Sequence, residues 1–276
     1  EAWKVEDEGD VSDLLNVQIE RDGADVILKQ TSYIEKLMDS FSPDGVPSRM
    51  QTTHAPCDVK LPQLVCDALM QTEAIDPILL RNYQAIIGSL LYCATQTRPD
   101  VAFAVGYLGR ALAKPTPELY DAALRVLHYL YLHKEVGLRY HSSNRAMFGM
   151  SDSDWAVKHS TSGSVFLYQT CAISWGSKKQ PTIALSSTEA EIVAGSEAAK
   201  EAISLKVILG EIGGADDSPT RLYLDNQSAI AVAYNPEHHS RMKHVERRHY
   251  FIRECVEDMK LVVPFVRTDD NLADFF

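Results

Sequence analysis

Acidic side chains recur in this chain where a strand ends or a helix begins. The segment SDSDW at 151–155 carries Asp152 and Asp154 at the edge of a run that reads as a β-strand. Three later segments offer partners: STEAE at 187–191 with Glu189 and Glu191, LDNQS at 224–228 with Asp225, and LADFF at 272–276 with Asp274. Carboxylates are hard oxygen ligands, and a few suffice for Mg2+, which keeps several waters. Two such ions about 3.5–4 Å apart activate water and stabilise the leaving oxyanion of a phosphodiester. Gathered into one site, these acids would hold metal and cut a nucleic acid strand.

The pattern around them supplies elements to do the gathering. After Gly137 the periodicity switches from helical spacing to two-residue alternation, which predicts strands at 138–140, 146–151, 163–169 and 172–177, the last two as a hairpin. Residues 187–213 read as a long helix with Ser187 or Thr188 as N-cap and early acids suited to the helix dipole. A strand at 220–225, a short helix at 226–235, a basic helix at 240–260, a strand at 261–266 and the first turn of a helix at 271–276 follow. Meandering strands followed by alternating helices and strands predict an α/β fold, a mixed sheet flanked by helices.

The first half reads differently. Residues 17–30 form a hairpin around the turn residues RDGAD, and 31–41 a helix with Ile34, Leu37, Met38 and Phe41 on one face. Residues 42–77, with five prolines, read as an extended connector. Helices at 83–96, 101–113 and 119–133 predict a packed helical pair or trio with no group poised for chemistry.

Composition narrows the classes. The chain has 276 residues with 45% hydrophobic and 24% charged content, ordinary for a packed domain or two. A formal net charge of −11 repels a polyanion at long range, unless divalent metal bridges carboxylate and phosphate. Five widely spaced cysteines without a CxxC pair argue against a disulfide framework or a thiolate zinc site and for a reducing, intracellular compartment. No apolar run reaches the roughly 18 residues of a membrane helix, and the acidic start is unlike a signal peptide. GxSxG and GxxxxGK[ST] are absent, which sets aside serine hydrolases and P-loop enzymes.

From about Val11 onward the chain resembles the Pol polyprotein of copia-type LTR retrotransposons. The resemblance rests on RNYQAIIGSLLYCATQTRPDVAFAV at 81–105, SDSDWA with STSG at 160–163, ISWGSKKQPTIALSSTEAE at 173–191, LDNQSAI at 224–230, KHVERRHYFIRE at 243–254 and NLADFF. It implies a ribonuclease H-like mixed five-stranded sheet with flanking helices over 137–276, C-terminally truncated. It implies a C-terminal remnant of the reverse transcriptase over 1–80 and a helical thumb or connection region over 81–136. The YVDD-type strand with the polymerase ligands would lie before Glu1, so no polymerase activity is expected. The implied activity is hydrolysis of the RNA strand of RNA–DNA hybrids with two Mg2+ ions, for which Mn2+ substitutes. The implied partners are the hybrid and the rest of the polyprotein, with no membrane, in a cytoplasmic particle and the nucleus. HVER stands where the family often has HIDI, so Glu246 replaces a common Asp.

The resemblance assigns Asp152, Glu191, Asp225 and Asp274 as catalytic metal ligands. The residues themselves leave alternatives open. Asp154 shares the strand parity of Asp152. Glu189 and Glu191 lie about 200° apart around a helix, so one of them faces the sheet. Asp225 also suits a helix cap, and Asp274 sits two residues from the end. Lys178, Lys179, Arg241, Lys243, Arg247 and Arg248 are expected phosphate contacts, with Lys158 and Arg253 further candidates. His238, His239, His244 and His249 lack the partners of a zinc site. Trp155 and Trp175 are expected in the core. Two other functions remain: a remnant that binds hybrid without cutting it, and a transposase- or integrase-like nuclease on the same fold.

Overall fold

The computed structural model describes residues 9–50, 54–143, 146–155, 159–214, 217–234 and 246–276, with the backbone alone for 246–250. The chain divides into two compact units, Glu1–His141 and Ser142–Phe276.

In the first unit, β1 (Asp13–Leu14), β2 (Val17–Asp22) and β3 (Asp25–Lys29) form an antiparallel meander. Gly23, at φ 62°, supplies the left-handed residue that the β2–β3 turn needs. Five helices follow: α1 (Thr31–Phe41), α2 (Leu61–Met70), α3 (Pro77–Gln96), α4 (Ala102–Gly109) and α5 (Pro117–Leu132). Strand β4 (Leu138–Tyr140) returns to pair with β3. The helix α2 corrects the extended connector expected over 42–77. Its Pro62 lies in the first turn, where the missing N–H has no intrahelical partner to lose, and Leu61, Val65 and Ala68 make a buried face. Ile34, Leu61, Tyr83, Leu108 and Leu127 share one core, so residues on both sides of position 80 pack together. Pro99–Val101 forms a 3-10 turn on which Arg98, 1% exposed, meets Asp100 through Nε (2.9 Å) and Nη2 (2.6 Å). Tyr129 Oη donates to the same carboxylate, and Arg98 Nη1 to the carbonyl of His133.

The second unit is built on β5 (Phe148–Asp154), β6 (Thr161–Tyr168), β7 (Cys171–Lys179), α6 (Ser187–Glu211), β8 (Thr220–Tyr223), α7 (Gln227–Tyr234), α8 (Glu246–Glu257) and β9 (Leu261–Val262). The sheet order is β7-β6-β5-β8-β9. The meander β5–β7 is antiparallel, and β8 and β9 add in parallel through helical crossovers. A three-strand meander followed by two parallel crossovers is the ribonuclease H-like arrangement. Gln169 and Thr170, both in the left-handed region, make the two-residue β6–β7 turn. Helix α6 covers the sheet with small residues (Ala190, Ala194, Ala198, Ala199, Ala202) over a core of Phe166, Ile192, Leu222, Leu224 and Leu261. A closing 3-10 turn, Leu272–Phe275, stands where a first α-helical turn was expected.

Candidate metal centre

Strand β5 runs three residues past its expected end, because Asp152 pairs with Gly163 and Asp154 with Thr161. Asp152 is therefore inside the central strand. Its neighbour β8 is parallel to it, so Asp225, just past the end of β8, arrives at the same edge of the sheet. Helix α6 begins one residue earlier than its expected caps: Ser186 is the N-cap, its Oγ accepting from Glu189 N at 3.1 Å. Glu189 is taken up at this end, its Oε2 accepting from Leu185 N at 2.8 Å. Glu191 lies further along α6, 6% exposed, and faces Asp152.

One carboxylate oxygen from each of Asp152, Glu191 and Asp225 lies within 4.8 Å of the others. Asp274 does not belong to this group, although its charge reaches Asp152. Asp154 is exposed and also outside it. Of the pairs Asp152 and Asp154, and Glu189 and Glu191, the cluster contains Asp152 and Glu191.

Burial drives the electrostatics. Loss of solvent, reinforced by the charges of Asp225 and Asp274, raises the Asp152 carboxyl to about 6. Burial raises Glu191 to about 8, with Asp152 and Asp225 adding to the shift. Ser153 opposes it, donating to Glu191 Oε1 from its hydroxyl (2.8 Å) and its backbone N–H (3.2 Å). Glu191 Oε2 is buried without a hydrogen-bond partner. A buried carboxylate oxygen left bare beside two further carboxylates is costly for protein alone. The same atom fits a hard divalent cation, for which an all-oxygen donor set is suited.

Other residues here escaped sequence reasoning. Thr268 Oγ1 donates to Asp225 Oδ2 at 2.8 Å. Asn271, 2% exposed, donates to Ser151 O at 3.2 Å and caps the closing turn at Ala273 N. Gly163 lets that turn lie on β6, since a Cβ there would meet Ala273 O at 2.4 Å. Gln180 Nε2 bridges Ser162 Oγ and the carbonyl of Ala190, both at 2.9 Å. All but Thr268 and Gly163 carry amide or hydroxyl groups inside or beside the quoted segments, yet spacing alone shows none of these bonds.

Lys178 and Lys179 are exposed at the end of β7. Arg241, Lys243, Lys158, His238, His239 and His244 lie outside the described residues, as do the side chains of Arg247, Arg248 and His249. Arg253, a further candidate contact, is 9% exposed and donates to Val232 O, so it serves packing. Trp155 corrects an expectation: it follows the last paired residue of β5 and is 50% exposed, whereas Trp175 is half-buried.

The chain is 33% identical over 279 aligned residues to a retrovirus-related Pol polyprotein from transposon TNT 1-94 of Nicotiana tabacum, across 99% of this chain and 21% of that protein. It is 32% identical to the Pol polyprotein from transposon RE1 of Arabidopsis thaliana, across 99% of this chain and 18% of that one. The chain belongs to the copia-type retrotransposon Pol polyprotein family. This Pol chain spans about a fifth of the length of those relatives. No family model matches it. Among solved structures, an RNase H1 isolated from compost is similar, with TM-score 0.37 and 13% identity over 47% of the Pol chain and 90% of that one. The fold assignment rests on strand order and direction, not on that superposition.

Proposed function

We propose that the second unit is a metal-dependent ribonuclease H that hydrolyses the RNA strand of an RNA–DNA hybrid during reverse transcription. The observation that carries this reading is the cluster of Asp152, Glu191 and Asp225 at the ends of the central strands, with Glu191 Oε2 buried and unpaired. The family supports the polyprotein setting, and the sheet order supports the nuclease class.

Asp152, central in the sheet and between Glu191 and Asp225, is the shared ligand in this proposal. Ser153 orients Glu191 and Thr268 orients Asp225. Asp274, on the closing turn above Gly163, completes the set from the solvent side. Two Mg2+ ions, or Mn2+ in their place, supply an activated water and charge stabilisation for the leaving oxygen when bound. Lys178 and Lys179 contact phosphates without reading sequence. The first unit, Glu1–His141, with 1–80 as the remnant and 81–136 as the thumb or connection region, serves as the reverse-transcriptase flank, and the remaining polyprotein is the protein partner.

The test is cleavage of end-labelled RNA in a hybrid. Wild-type protein with Mg2+ is expected to cut hybrid RNA and leave duplex DNA intact, while EDTA or Asp152→Asn abolishes cutting. Equal cleavage by Asp152→Asn refutes the site. Hybrid binding without cleavage at saturating metal would instead establish the non-cutting remnant.

A further inference from the structure

Three large apolar side chains stand exposed on the segments that flank the carboxylates: Trp155 at 50%, Ile183 at 54% and Leu185 at 84%. They come from two segments that lead into the site. Trp155 lies three residues beyond Asp152, and Leu185 six residues before Glu191. The two segments are joined, because Trp155 Nε1 donates to the carbonyl of Ala184 at 3.2 Å, between Ile183 and Leu185.

The strap at 180–186 is held at both ends. Gln180, 2% exposed, donates to Ser162 Oγ and Ala190 O, and its own N–H reaches Ser160 O at 2.8 Å. At the other end Leu185 N is bonded to Glu189, and Ser186 caps α6. Single exposed apolar residues are ordinary, but two on one fastened strap with a third bonded to it are not explained by packing. A free loop would fold such side chains inward; this one is pinned outward.

We propose that Trp155, Ile183 and Leu185 form an apolar platform that contacts the hybrid next to the carboxylate cluster, lying against sugar and base faces rather than phosphates. The proposal rests on the nuclease reading for the identity of its occupant. Charge favours this kind of contact. A chain of net charge −11 gains little from long-range attraction to a polyanion, so short-range apolar contact carries more of the affinity. The wide, shallow minor groove of an A-like duplex exposes sugars to such a surface. The platform is therefore a substrate-positioning device: it fixes where the strand lies relative to Asp152 and Glu191.

Binding of a fluorescently labelled RNA–DNA hybrid to the full chain, with Ca2+ in place of Mg2+, tests this. Ile183→Ala/Leu185→Ala removes side chains that are more than half exposed and is expected to weaken binding at least about fivefold, as is Trp155→Ala, on the scale of one lost base contact. Trp155→Phe keeps an aromatic face and drops the bond to Ala184, so its affinity stays within about twofold of wild type, well short of one lost base contact. The slope of affinity against salt is expected to be unchanged in all three, since no phosphate contact is lost. Unchanged affinity in the double variant overturns the platform, as does a loss in Trp155→Phe equal to that in Trp155→Ala, or a wild-type chain that binds no hybrid. Cleavage by the wild-type chain with Mg2+ is scored separately: binding that depends on the platform without cleavage sinks the nuclease reading alone, and cleavage with platform-independent binding sinks the platform alone.

Discussion

Ser153 joins the two halves of the carboxylate cluster, because it follows Asp152 in the strand and donates twice to Glu191. Groups that orient a metal ligand matter nearly as much as the ligand. Ser153→Ala is accordingly expected to weaken Mg2+ affinity about 10-fold, measured by calorimetry, with the fold unchanged. Asp154→Asn is expected to alter it little, because Asp154 is exposed and outside the cluster. Protons compete with metal for Asp152 and Glu191, whose carboxyls stand near 6 and 8. Metal affinity should therefore rise with pH across that span and level off above it. The segments naming Asp152, Glu191 and Asp225 were legible in sequence. Ser153 was not, since strand alternation turns it away from Asp152 and spacing does not show which residue of α6 lies across from it.

At the scale of elements, Gly163 and the closing turn depend on each other. Gly163→Ala puts a Cβ 2.4 Å from Ala273 O, so either the turn or β6 must move. Urea unfolding should show a loss of about 1–3 kcal/mol, accompanied by weaker cleavage as Asp274 shifts. A variant with wild-type stability and activity would show that the turn is not seated on Gly163. In the first unit, Asp100→Ala leaves Arg98 buried without its carboxylate and is expected to cost about 3 kcal/mol, the low end for a broken buried pair because Asp100 is partly exposed. Helix α2 shows why local signals misled. Proline-rich sequence suggests an extended segment, but Pro62 lies in the first helical turn, which tolerates it, and the burial of Leu61 and Val65 decides the matter. Strand β5 was read short for the reverse reason: its polar end is held by β6 across the ladder, a non-local pairing that composition does not display. The order of strands and helices in the second unit was legible, because two-residue and helical periodicities alternate cleanly there.

For the whole molecule, the cluster makes stability depend on pH and metal together. Without metal, folding raises Asp152 from 3.8 to about 6 and Glu191 from 4.5 to about 8. The native state then holds more protons than the unfolded chain between these limits, so stability falls as pH rises from about 4 to 8. Divalent metal binds the native state and replaces those protons. Thermal melts of metal-free protein should show Tm falling across that window, and saturating Mg2+ should raise Tm most at the alkaline end. A metal-free Tm that climbs between pH 5 and 8 would contradict the burial of these acids. The most direct test of the metal centre is anomalous diffraction from crystals grown with Mn2+. Two peaks about 3.5–4 Å apart among Asp152, Glu191 and Asp225 are expected. Well-ordered carboxylates with no anomalous density between them would contradict it.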